Sequence, residues 1–480
     1  MRRPALLLVL LPVALACAAS TASGQDSDTV PAAPVATPPD TGTLLARRVV
    51  AGDTTKSYAV YLPPGYDPAR RWPALVLMDP RGRALLPLER FRPAAAVLGY
   101  VILSSYDTSS DEVTSAEDTR AGVEALLNDA VATLSLDAHR FYLVGFSGTA
   151  RLAWGMAQGS PDYFPAIVGF GGGLMPSVHL TMAVEGLKGP AFFGGAGTTG
   201  FNYAEMWSTD AALDALEIPH ALMYFPGPHA WAPTPVATAA VEWLELRAEA
   251  TGLAPADSAW IRDRFAAAAA AARKLEAEGR VHDAMIAFRR VAATYDGFGA
   301  PWTDSVAAMQ AVYSRLAGTS EGRETTRRLD GWLEWEKGRR EEFERAWAAL
   351  DASRIPDTDR LASLIGLRDL QKQALEDDTL AAQAAGRMLA VSMVMANFYL
   401  PRAYLAAGDT LRAVRALQLA HRIAPGSDAV CFRFRPLAPG DRARAPALDA
   451  FCEPDDSPGR PDRPGGGAGT GSSPRPPPPT

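Results

Sequence analysis

The chain has 480 residues, 48% hydrophobic and 21% charged, the balance of a soluble globular protein too long for one ordinary domain. Its 47 Lys and Arg against 54 Asp and Glu give a net charge of −7, with no basic surplus or stripe of the kind a nucleic-acid binder presents. Three cysteines without close Cys/Cys or Cys/His spacing, and six scattered histidines, argue against structural zinc and mark no other metal site.

Arg2 and Arg3 precede an apolar run from Ala5 to Ala16 and small residues up to Ala22-Ser23-Gly24. That order is the order of a secretory signal peptide, with cleavage expected after Gly24 and export to the periplasm or beyond. Lipoprotein processing at Cys17 is the alternative, with the leucine of Ala14-Leu15-Ala16 one position late for a lipobox. A membrane span needs about 20 apolar residues. The later run Leu389 to Leu400 is shorter and contains Ser392 and Asn397, so no transmembrane segment is expected in the mature chain. Residues 25–42, rich in Pro, Thr, Ala and Asp, read as a flexible linker. Residues 454–480 are Pro/Gly/Ser-rich and read as a disordered tail. Cys431 and Cys452 sit in one region of an exported chain, where a disulfide is permitted but not required.

Between residues 43 and 250, short apolar runs alternate with helical stretches. The runs are Tyr58–Leu62, Ala74–Met78, Tyr100–Ser104, Phe141–Gly145, Ala166–Phe170, Ala191–Gly194 and Ala221–Phe225. Most lack period-two polarity, as expected of parallel strands buried on both faces. Thr119–Leu134 and Ala150–Gln158 supply crossover helices, giving an α/β domain with a mainly parallel sheet. From 255 to 453 the strands stop and Ala, Leu, Arg and Glu recur at helical spacing. Gly279 is followed by Ala284, Phe288 and Val291, and Gly408 by Ala413, Leu417 and Ala420, at the same offsets. A weaker copy starts at Gly338, with Phe343, Trp347 and Leu350. The pattern resembles tetratricopeptide repeats, and a plain helical bundle is the other reading.

The segment Phe141–Gly145 runs into Phe146-Ser147-Gly148-Thr149 and then a helix. A serine hydroxyl is a weak nucleophile that needs exposure, a base and nearby donors. A tight strand-to-helix turn supplies the exposure, and its need for small flanking positions accounts for Gly145 and limits the position after Gly148. Thr149 stands where that motif ordinarily has a second small residue. The base should follow the last strand; among the histidines beyond the turn, His179, His220, His282 and His421 are misplaced, leaving His229 in Pro226–Trp231. An oxyanion needs two donors: the Gly148 N–H, and one from the loop Asp79–Arg83, where Pro80 has none and Arg81 or Gly82 must serve. Arg81 is the expected donor.

On Tyr61-Leu62-Pro63-Pro64-Gly65-Tyr66-Asp67, Gly145–Thr149 and Pro226–Trp231, in that order, residues 44–247 resemble the α/β-hydrolase superfamily. The likeness is to its feruloyl-esterase-like and polyester-depolymerase-like branch. The resemblance implies hydrolysis of a small or polymeric carboxylic ester through an acyl-enzyme on Ser147, with no cofactor. It also implies an acid after the penultimate strand, where this chain has Thr199 or Gly200; Asn202, Glu205 and Asp210 are the nearest substitutes. The alternative reading is a weakly active or non-catalytic hydrolase fold that binds a protein partner through its helical repeats.

Overall fold

The computed structural model describes residues 42–110, 116–160, 162–174, 189–300, 302–376 and 379–452. The expected signal peptide, Cys17, all but the last residue of the linker, His179 and the tail lie outside the described residues. Eight strands form one sheet: β1 (Leu44–Val50), β2 (Asp53–Tyr61), β3 (Trp72–Met78), β4 (Val101–Ser105), β5 (Leu136–Phe146), β6 (Ala166–Phe170), β7 (Ala191–Gly195) and β8 (His220–Leu222). Their order is β1-β2-β4-β3-β5-β6-β7-β8. β2 pairs antiparallel with β1 and β4, and every other pairing is parallel. This is the α/β-hydrolase strand order.

The continuous apolar runs are divided by the two-residue strand period. In β3, Ala74, Val76 and Met78 enter one core, whereas Leu75 and Leu77 enter the core on the opposite face. Helices α1 (Leu85–Leu98), α2 (Ala116–Thr133), α3 (Gly148–Gly159), α4 (Tyr203–Ala215) and α5 (Thr234–Ala250) cover the sheet. All seven expected strands are present. The eighth, β1, is an edge strand whose residues are mostly exposed, so it carries no apolar run. β8 begins at His220, earlier than expected, and Phe225 rejoins the sheet as a bridge to Gly197.

The helical half comprises α6 (Ser258–Ala277), α7 (Val281–Tyr295), α8 (Trp302–Ala317), α9 (Ser320–Leu350), α10 (Thr358–Leu364), α11 (Leu367–Gln373), α12 (Thr379–Val394), α13 (Leu400–Ala406), α14 (Thr410–Ile423) and three short helices to Cys452. Gly279 and Gly408 adopt φ of +72° and +76° in the turns between α6 and α7 and between α13 and α14, a conformation glycine takes without steric cost. Ala284, Phe288 and Val291, and their counterparts Ala413, Leu417 and Ala420, are buried. The third copy is corrected: Gly338 lies inside the 31-residue helix α9, where no turn exists. Gly279 and Gly408 therefore each mark a helix–turn–helix pair, and Gly338 does not. Cys431 and Cys452 are joined by a disulfide.

A π-helical turn, Met395–Tyr399, joins α12 to α13. The whole stretch Thr379–Ala406 is long and apolar enough, by length and composition, to cross a membrane, which the shorter run considered above is not. Here its buried Arg387 pairs with the equally buried Glu336 of α9, each side chain 1% exposed. The strand half and the helical half fall within one compact unit.

Candidate active site

The C-terminal end of β5 turns sharply into α3 at Ser147, whose φ of 57° and ψ of −124° belong to a tight turn position that glycine ordinarily fills. A Cβ on Gly145 would lie 2.5 Å from the Ala150 nitrogen, so only glycine lets the helix start this close to the strand. Thr149 is explained by its hydroxyl, which accepts from the Phe146 N–H (3.0 Å) and donates to the Met78 carbonyl (2.6 Å), tying the turn to β3. Ser147 thereby sits, partly exposed, at the positive end of a helix.

His229 leaves the loop after β8 and lies beside this turn. Its ring is 4.5 Å from that of Phe146 and 4.1 Å from that of Phe201. The Nδ1–Cε1 edge faces Gly171, where a Cβ would stand 2.8 and 2.7 Å from those atoms. The neighbouring Gly172 approaches the Ser147 carbonyl so closely that a Cβ would lie 2.3 Å from its oxygen. Burial, with Arg151 and Arg81 nearby, pulls the imidazole pKa down to about 3, so the ring is neutral at ordinary pH. Among the described residues, no hydrogen bond joins the ring to Ser147 or to any carboxylate.

Each acid candidate has another partner. Glu205 accepts from Arg151 Nε (3.0 Å) and from the Gly173 N–H (3.1 Å). The Asn202 amide donates to Glu205, and its own Oδ1 is buried without a partner. Asp210 holds a histidine, but the wrong one: His220 Nε2 lies 3.0 Å away. Burial alone would lower the His220 pKa, but the bonds to Asp210 and the Ile218 carbonyl raise it. Asp210, Asp214 and His220 offer ligand atoms within 4.8 Å of one another, yet the Arg289 guanidinium bonds to both carboxylates and supplies the positive charge a cation would.

The second oxyanion donor also needs correcting. The Arg81 N–H donates to Asp79 Oδ1 (2.9 Å) and the Gly82 N–H to the Asp79 carbonyl (3.1 Å), so both are committed within their own loop. Gly148 opens α3, where an N–H has no intrahelical acceptor. Next to it sits a group the sequence reading missed: the Ser110 hydroxyl, 2.3 Å from where a Gly148 Cβ would stand, and buried without a partner. Ser110 follows β4 in an irregular loop, so only the folded arrangement reveals it. Buried Asp79 meanwhile accepts from Trp231 Nε1 (2.7 Å), linking this loop to the histidine loop.

No protein-family model matches the chain, and no curated protein matches it. Among solved structures, the S-formylglutathione hydrolase of Staphylococcus aureus is 13% identical, with 43% of this chain and 98% of that chain covered and a TM-score of 0.36. The feruloyl esterase module from Clostridium thermocellum is 17% identical over 44% of this chain and 89% of that chain, TM-score 0.34. Thermogutta terrifontis esterase 2 is 14% identical over 44% and 95%, TM-score 0.33. The site residues stand on this chain's own geometry.

The helical half grips the loop between β7 and α4. Arg387 donates to the Thr198 carbonyl (2.8 Å), Arg340 to the Phe201 carbonyl (3.1 Å), and the Arg387 guanidinium lies 4.4 Å from the Tyr203 ring centroid. That loop carries Phe201, which packs on His229.

Proposed function

We propose that the protein is an exported serine hydrolase that cleaves carboxylic esters through an acyl-enzyme on Ser147, with no carboxylate behind its histidine among the described residues. The observation that carries this reading is the positive φ of Ser147 at the first turn of α3, a strained conformation of the kind retained at functional sites. Ser147 Oγ attacks the ester carbonyl and passes its proton to His229, which returns it to the leaving alcohol. The Gly148 N–H and the Ser110 hydroxyl hold the developing oxyanion. Water then attacks the acyl-enzyme by the same route in reverse. Export is supported by the order of residues 2–24 and by the Cys431–Cys452 disulfide, a bond that persists in oxidising compartments. Processing at Cys17 is the lipoprotein form of the same proposal.

A second reading, a non-catalytic scaffold that binds a partner through its helices, is favoured by one observation: no carboxylate orients His229 among the described residues. Labelling with a serine-directed phosphonate separates the two. The parent protein is expected to label and Ser147→Ala to remain unlabelled; an unlabelled parent at saturating probe refutes the hydrolase.

A further inference from the structure

The seam between the two halves holds a cavity of about 170 Å³ that the proposed reaction does not use. Its wall on the strand side is aromatic: Trp207 of α4 and Tyr224 after β8 stack with centroids 5.3 Å apart and planes at 9°. From α7, His282 stacks on Trp207 at 6.4 Å, and Arg289 and Arg290 also line the cavity, beside the apolar Met285, Ile286 and Ala293. Arg289 is neutralised by Asp210 and Asp214. Its neighbour Arg290 is not: half-buried, it makes no ion pair or hydrogen bond among the described residues. Burial lowers its pKa with no compensating carboxylate. The Tyr224 hydroxyl is buried without a partner, and burial raises its pKa well above the usual phenol value, so it remains a donor.

A half-buried guanidinium with no carboxylate of its own and a buried, unpaired phenol meet on one aromatic cavity, and the phenol is costly to leave unpaired unless a ligand supplies an acceptor. A dry cavity of about 150 Å³ is known to admit benzene, so this one has room for a single ring. Asp330 and Asp214 also line it and oppose a doubly charged ligand. We propose that the seam cavity binds a small monocyclic aromatic carboxylate, its carboxylate on Arg290 and the Tyr224 hydroxyl and its ring against Trp207 and His282.

Benzoate, titrated into the full chain and followed by calorimetry and tryptophan fluorescence, is the direct probe. Saturable binding is expected at millimolar concentration or below, with inorganic phosphate failing to compete. Arg290→Met should weaken binding at least about tenfold, and Tyr224→Phe by a smaller factor. Ser147→Ala should leave the affinity unchanged, which separates this cavity from binding at the proposed active site. Absence of benzoate binding, equal binding of phosphate, or binding undiminished in Arg290→Met overturns the proposal. Should Arg290→Met fail to fold, undiminished binding in Tyr224→Phe overturns it instead.

Discussion

Replacing Arg387 by Met tests how the helical half supports the active-site loop. Arg387 and Glu336 are each 1% exposed, with Arg387 Nε 2.9 Å from Glu336 Oε1. The substitution keeps most of the side-chain volume but leaves Glu336 as a buried carboxylate without its counter-ion. Burial already raises the Glu336 pKa, and Arg387 is the main opposing influence. Removing one partner of a buried pair costs about 3–5 kcal/mol, and at roughly 2–4 °C per kcal/mol the melting temperature should fall by at least about 6 °C. Urea denaturation followed by circular dichroism reads the same loss without screening the charges. Adding Glu336→Leu removes the stranded carboxylate and should restore most of the stability. It should not restore the grip on the Thr198 carbonyl, so phosphonate labelling of Ser147 should stay slow in both variants. A loss below about 1 kcal/mol, or a double variant no more stable than the single, refutes the reasoning.

Gly171→Ala puts a methyl group 2.7 Å from His229 Cε1; labelling should slow at least about tenfold while the far-ultraviolet spectrum is unchanged. Ser110→Ala should lower turnover of an activated ester by about 10²-fold with KM nearly constant, as loss of an oxyanion donor does; unchanged turnover removes Ser110 from the mechanism. His229 titrates near 3 when folded against about 6.5 when unfolded. Its contribution is therefore complete above pH 6.5 and is lost as pH falls from there toward 3, by up to about 1.4 kcal/mol per unit. Stability of His229→Gln, measured across that range, should fall less steeply than the parent's. Reducing the Cys431–Cys452 disulfide, which spans 21 residues, should cost the helical half about 3 kcal/mol in urea.

The parallel strands were legible because each is an apolar run bounded by turn residues, and the turn at Ser147 because strand, small residues and helix are contiguous. β1 was not, since an edge strand with Leu45, Arg47 and Val49 exposed has no buried face to print a pattern. Gly338 misled for the opposite reason: a glycine in register with buried Phe343, Trp347 and Leu350 marks a helix face as well as a turn. His229 was reached by elimination among few histidines. The acid stayed open because proximity in sequence says nothing about which of several cations a carboxylate meets; Glu205 and Asp210 meet Arg151 and His220. Ser110 and Arg387 enter the site through long-range packing that no local spacing encodes.

The lack of a carboxylate behind His229 among the described residues and the strained serine pull toward different functions, and their costs differ in kind. Losing the acid lowers turnover, by about 10⁴-fold in a chymotrypsin-type enzyme, but leaves residual catalysis from the nucleophile and oxyanion donors. Keeping Ser147 at φ 57° costs about 1–3 kcal/mol of folding stability, a charge the fold bears in every molecule whether or not substrate is present. Relief would be simple in a scaffold, since glycine takes this conformation freely. Instead the neighbourhood is built around the strain: Gly145 admits the helix, Thr149 ties the turn to β3, and Gly171 and Gly172 give way to the histidine ring and the serine backbone. A neutral imidazole beside two arginines is a poor holder of a proton but an available acceptor.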